Sequence, residues 1–141
     1  MFICLTPAIS VAPQIDAGDC ARARDAGFVS IICNRPDDEA AGQPDAAVIE
    51  AAASAAGLRF VHIPIDASGI DDGQIAAMAT ALAGGGPVLA YCRSGTRSAH
   101  LWALAEASRG GDPDAIVAAA AAGGFGIAGM LPMLRRLATA A

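Results

Sequence analysis

Apolar and polar positions fall in blocks along this chain rather than residue by residue. Four apolar runs have strand length: Ile9–Ala12, Phe28–Cys33 (FVSIIC), Arg59–Ile65 (RFVHIPI) and Val88–Tyr91 (VLAY). They lack strict alternation, which predicts strands covered by helices on both faces. Between and after them lie helix-like segments: Asp16–Ala26, Asp45–Ala56, Asp71–Leu82, Ser98–Ser108, a helix opened by Asp112-Pro113, and Ile127–Ala138 with a distortion expected at Pro132. Asp16 and Asp112 stand as N-caps, Pro113 suits a first turn, and Gly27, Gly57 and the Gly84–Pro87 stretch stop the helices before them. Strand–helix alternation of this kind predicts an α/β fold with a small, largely parallel sheet flanked by helices. No repeat or linker interrupts it, so residues 1–141 are read as a single domain.

Composition narrows the picture. The chain is 55% hydrophobic and only 16% charged, which excludes disorder. Two uncharged runs, Gly73–Cys92 and Ala115–Leu134, reach the length of a membrane span. Each is rich in Ala and Gly and broken near its middle by Gly and Pro, so each is read as two short elements rather than a span. The N-terminus lacks a basic region and a long apolar stretch, so no signal peptide is expected and the cytoplasm is the expected location. The net charge is −5, all nine basic residues are Arg, and no basic run occurs. Nucleic acid and anionic membrane are therefore poor partners. Cys4, Cys20, Cys33 and Cys92 form no C-x-x-C pair and only two His are present. No metal site and no cofactor are expected, and the thiols are expected to be free.

The chemistry concentrates in VLAYCRSGTRSAH, Val88 to His100. A strand ends at Tyr91, the loop Cys92-Arg93-Ser94-Gly95-Thr96-Arg97 follows, and a helix begins near Ser98. The carboxyl end of a strand before a helix is where open α/β sheets bind ligands. Gly95 permits a tight turn, and the loop amides with the helix N-terminus then form an anion cradle. Arg97 adds a two-donor fork for an oxyanion. Such surroundings lower a thiol's pKa to roughly 3.5–7.5, so Cys92 is expected to be an ionised nucleophile. Arg93, Ser94, Gly95, Thr96 and Ser98 complete the expected anion-binding loop, with Ser98 either touching the sulfur or capping the helix. Asp66, after the third run, is the candidate general acid, set against an ordinary loop residue. Asp71 and Asp72 read as capping residues. Arg35, after the second run, is a candidate substrate contact, set with Asp37 against a structural salt bridge. Cys4, Cys20 and Cys33 are expected to be structural, with Cys33 also weighed as a resolving thiol. His62 and Trp102 are read as core residues and His100 as structural. Gly124-Phe125-Gly126-Ile127-Ala128-Gly129 matches G-x-G-x-x-G, but no strand precedes it, so nucleotide binding is not inferred.

The loop CRSGTRS resembles the active-site loop of rhodanese-type sulfurtransferases. Ser10–Ile15 (SVAPQI), Asn34–Asp37 (NRPD), His62–Pro64 (HIP), Ala90–Ser98 (AYCRSGTRS) and Leu101–Leu104 (LWAL) together resemble the bacterial beta-lactamase-hydrolase-like family of phosphatase-like domains. That resemblance implies a dual-specificity, protein-tyrosine-phosphatase-like fold and either sulfur or phosphoryl transfer. Tyrosine-class phosphatases place five residues between Cys and Arg, usually with His before the Cys. This chain has four, and Tyr91 precedes the Cys. The smaller cradle favours a sulfur atom. The preferred expectation is therefore a persulfide or thiosulfate sulfurtransferase working through a Cys92 persulfide, with a small-molecule sulfur donor and acceptor and a sulfide-oxidation enzyme as partner. The alternative is a phosphatase acting on a phosphoester through a Cys92 thiophosphate. A non-enzymatic anion or persulfide sensor is the third reading.

Overall fold

The computed structural model describes residues 1–141. Five strands form one sheet: β1 (Ile3–Thr6), β2 (Ile9–Ala12), β3 (Ser30–Cys33), β4 (Arg59–His62) and β5 (Val88–Tyr91), in the order β1-β2-β5-β3-β4. Strands β2, β5, β3 and β4 are parallel, and β1 pairs antiparallel with β2 at the edge. The four predicted strands are present. The third is shorter than expected, since Ile63–Ile65 leave the sheet after His62. Strand β1 was not predicted: a four-residue run at an edge, joined to β2 through Pro7-Ala8, carries no strong turn signal.

Helices α1 (Ala17–Asp25), α2 (Ala46–Ala55), α3 (Asp72–Ala83), α4 (Thr96–Ser108), α5 (Pro113–Ala122) and α6 (Leu131–Ala140) account for the rest, with a 3-10 turn at Ala128–Met130. Asp16 caps α1 and Asp71 caps α3, each in a reciprocal capping box with the residue three positions on. Asp112 caps α5, whose first turn holds Pro113. Pro132 does not distort a long helix. It lies in the first turn of α6, where its missing N–H costs nothing. None of the helices is long and apolar enough to cross a membrane.

Strand side chains alternate between two cores. Ile9, Val11, Ile32, Val88 and Ala90 face α3–α6, around Leu101, Trp102 and Leu134. Ala12, Ile31, Cys33, Leu89 and Tyr91 face α1 and α2, around Ile49 and Ala53. This two-sided burial is why the runs show no alternation in sequence. Helix α4 is buried almost all round, through Ala99, Leu101, Ala103, Leu104, Ala105 and Ala107. Its alanines let neighbours approach closely.

The sheet order puts β5 in the centre, between β2 and β3, so the residue after Tyr91 emerges in the middle of the carboxyl edge. That residue is Cys92.

Candidate active site

Cys92 is fully buried at the floor of the loop. Its backbone N–H donates to the Ala12 carbonyl at 3.3 Å, continuing the β2–β5 pairing by one residue. The Gly95 N–H donates to Cys92 Sγ at 3.1 Å. Gly95 is the N-cap of α4 at φ +92, ψ −14, a left-handed conformation that side-chain-bearing residues rarely adopt. This kink starts α4 at Thr96, two residues before the predicted Ser98, and aims the helix N-terminus at the sulfur. A Cβ at Gly95 would also lie 3.3 Å from Phe125 Cζ. Phe125, in the glycine-rich segment after α5, thus stands as a wall behind the Cys92 loop.

Arg97 sits in the first turn of α4 with its side chain one-quarter exposed. Nη1 donates to Glu39 Oε2 and to the Ile65 carbonyl, each at 2.7 Å, and Nη2 donates to Glu39 Oε1 at 2.8 Å. Glu39 foremost, with Cys92 adding to it, raises the guanidinium pKa. Glu39 also accepts from Arg35 Nε at 3.1 Å. Arg35, the expected substrate contact, is only 5% exposed, and its Nη1 donates to Gln14 Oε1 at 3.0 Å. Of the two readings of Arg35, its contacts are those of the structural salt bridge: it is a strut beneath Glu39.

The remaining loop residues divide. Arg93 is exposed, and its carbonyl accepts from the Gln14 N–H at 3.3 Å. The Ser94 and Thr96 hydroxyls bond each other at 3.0 Å on the exposed rim. Ser98 neither caps α4 nor bonds the sulfur. It is wholly buried and donates to Asn34 Oδ1 at 2.8 Å. Asn34, which the sequence did not single out, is the hub of the site. Its N–H donates to the Tyr91 carbonyl, its carbonyl accepts from the Ile65 N–H, and its Nδ2 donates to the Ile63 carbonyl. It ties the end of β3 to the catalytic loop and to the segment carrying Asp66. Asp37 caps α2 by accepting from the Ala46 N–H at 2.8 Å.

Asp66 follows Ile65 directly, so its backbone is pinned beside Arg97. Its carboxylate is exposed and turned away, accepting from the Ser68 hydroxyl and N–H. Those bonds lower its pKa, so a general-acid role requires the loop to turn. His62 is not a core residue: it is exposed on edge strand β4, with Nε2 3.1 Å from the Arg35 carbonyl. His100 is half-buried, and burial lowers its pKa. Trp102 lies in the core as expected. Cys4 is exposed at the sheet edge rather than packed inside. Cys20 and Cys33 are buried, and burial pushes both thiols up. Cys33 Sγ donates to the Arg35 carbonyl at 3.4 Å, an arrangement of an inert thiol rather than a resolving one.

The Glu39 carboxylate is held down to about 2 from its ordinary 4.5, first by Arg97 and then by Arg35. A depressed folded-state pKa gives stability that is present above the unfolded value and lost as pH falls through the folded one. The thermal stability of the wild type is therefore expected to fall as pH drops from about 4.5 to 2, and Glu39→Gln is expected to flatten that part of the profile.

A family model described as "Beta-lactamase hydrolase-like protein, phosphatase-like domain" matches residues 1–109. The chain belongs to this family. A beta-lactamase hydrolase-like protein of Xylella fastidiosa is 38% identical over 114 residues, covering 79% of this chain and 26% of that protein. The chain spans one-fifth to about one-quarter of the length of the curated relatives it matches. Among solved structures, a candidate phosphatase from Neisseria meningitidis is 34% identical, covers 96% of both chains and superposes with a TM-score of 0.76. A kinase-associated phosphatase shares the fold at 16% identity and a TM-score of 0.68, covering 94% of this chain and 88% of that one. The fold is that of the protein-tyrosine-phosphatase-like proteins, as the sequence resemblance implied. These likenesses support the phosphatase alternative better than the sulfur-transfer expectation.

Proposed function

We propose that this phosphatase-like domain is a cysteine-dependent phosphatase of small phosphoesters or phosphorylated side chains. The observation that carries the reading is the pairing of Cys92 Sγ with the Gly95 amide at the N-terminus of α4, beside the Arg97 guanidinium. Amides and helix terminus favour negative charge on the sulfur and on oxygens brought to it. In the first step Cys92 Sγ attacks phosphorus, the P–O bond to the leaving group breaks, and the leaving oxygen takes a proton. In the second step water attacks the cysteinyl phosphate, the S–P bond breaks, and inorganic phosphate leaves. Arg97 and the loop amides hold the phosphoryl oxygens throughout.

Asp66 is the nearest carboxylate in sequence to the pinned Ile65 and is the proposed proton donor once its loop turns toward the mouth. A phenolate with a low pKa leaves without help, whereas an alkoxide needs a proton. Asp66→Asn is therefore expected to change turnover of a nitrophenyl phosphate little and to lower that of an alkyl phosphate by about 100-fold or more. Equal effects on both esters would remove Asp66 from the acid role. The four-residue spacing between Cys92 and Arg97, with the likeness of CRSGTRS to a rhodanese-type loop, favours sulfur transfer. The two chemistries separate by offering thiosulfate with cyanide, and separately an aryl phosphate, and identifying the adduct on Cys92 by mass spectrometry. A phosphoryl adduct supports the proposal. A persulfide formed with no ester turnover overturns it.

A further inference from the structure

Arg97 has five N–H donors in a rigid plane. Glu39 occupies the edge formed by Nη1 and Nη2, and the Ile65 carbonyl takes the second hydrogen of Nη1. What remains is Nε–H and one Nη2–H, which lie side by side on the opposite edge. That edge is the two-donor fork an oxyanion needs. Glu39 does not compete for it.

Glu39 is itself held. Its Oε1 also accepts from Arg35 Nε, and Arg35 is almost wholly buried and anchored in turn to Gln14. Gln14 donates its N–H to the Arg93 carbonyl in the catalytic loop. The chain of contacts runs from the loop at Arg93, through Gln14, Arg35 and Glu39, and back to the loop at Arg97. Four side chains or amides from three separate segments thus fix one guanidinium plane.

We propose that Glu39 is a positioning residue that orients Arg97, leaving its Nε–Nη2 edge free for a tetrahedral oxyanion seated on Cys92. This rests on the phosphatase reading of the Cys92 loop. A carboxylate is needed because its two oxygens accept three N–H bonds, Oε1 from Arg35 Nε and Arg97 Nη2 and Oε2 from Arg97 Nη1. A glutamine at the same place has one acceptor oxygen and turns two N–H donors toward cationic neighbours. An aspartate keeps the charge but is one methylene too short to meet Arg35 and Arg97 together.

The test is a double-mutant cycle read by two measurements. Glu39→Gln is expected to lower kcat and kcat/KM for an aryl phosphate together, by about 100-fold, the effect of a misplaced transition-state contact. It is expected to weaken tungstate binding to the intact protein, measured by calorimetry, by about tenfold. In an Arg97→Ala background the same Glu39→Gln change is expected to add less than about twofold to either loss. A full-sized loss in that background, or wild-type tungstate binding by Glu39→Gln, overturns the proposal. Glu39→Asp, carried through the same cycle, decides the matter if Glu39→Gln fails to fold. Tungstate binding needs no turnover. A wild-type protein whose tungstate binding by Arg97 depends on Glu39 but that hydrolyses no phosphate ester would sink the phosphatase reading and leave the positioning role standing.

Discussion

Cys92→Ser is expected to abolish phosphate-ester turnover, with a loss of at least about four orders of magnitude, while leaving anion binding largely intact. The reasoning starts from the loop. The amides of residues 93–97 and the Arg97 fork belong to the backbone and to a separate side chain, so a serine at the floor does not remove them. Position 92 is wholly buried, and its side-chain atom accepts from the Gly95 N–H at 3.1 Å. A serine oxygen accepts the same bond, so the fold tolerates the change. What disappears is the nucleophile: an alcohol is far less ionised than a thiol at neutral pH, and no base in the structure contacts position 92 to activate it. Steady-state kinetics with an aryl phosphate and tungstate calorimetry on the same preparation check both halves. Retained turnover in Cys92→Ser would mean that the chemistry lies elsewhere.

The second large effect is expected at Asn34. This side chain is wholly buried and joins the Ser98 hydroxyl to the Ile63 carbonyl. Asn34→Ala leaves both of those groups without a partner in a region that water does not reach. At about 1–3 kcal/mol for each of the two orphaned groups, the loss is about 2–6 kcal/mol, a large part of a typical domain's stability of about 5–15 kcal/mol. The thermal midpoint is expected to fall by about 10 °C. The effect should be partly reversed in context: Ser98→Ala is expected to cost less in the Asn34→Ala protein than in the wild type, because one of the orphans is gone. Additive losses would show that the two side chains do not act as a pair. Activity should fall as well, since the lost side chain ties Ser98, the residue after Arg97, to the Ile63–Ile65 segment whose Ile65 carbonyl accepts from Arg97 Nη1.

The parts of this molecule that were legible in the sequence are those encoded locally. Cys92, Gly95 and Arg97 lie within six residues at a strand–helix junction, and short-range chemistry is enough to read an anion loop there. The capping aspartates 16, 71 and 112 are equally local. The strands were legible because each is a compact apolar run. Asn34 and Glu39 were not, because what matters about them is distant partnership: Asn34 meets Ser98 across 64 positions and Glu39 meets Arg97 across 58. Arg35 stood between a substrate contact and a structural salt bridge for the same reason, since an arginine in a polar loop looks open until Glu39 and Gln14 are seen beside it. Strand β1 was missed because its pairing with β2, not its own pattern, makes it a strand. The preference for sulfur transfer rested on counting loop residues, and a count does not reveal where the guanidinium ends up.

The wall behind Gly95 bears on how the protein can be cut or joined to other sequences. The family model ends at residue 109, immediately after α4, yet Ile116, Ala120, Ile127 and Leu134 belong to the same core as Leu101 and Trp102, and the Phe125 ring leaves little room for a side chain at Gly95. A truncation at that point would strip one side of the helix that carries Arg97 and leave a broad greasy surface open to water. Any fusion or minimal fragment of this protein has to carry α5 and α6 with it, because the shared signature and the packed core do not end at the same residue.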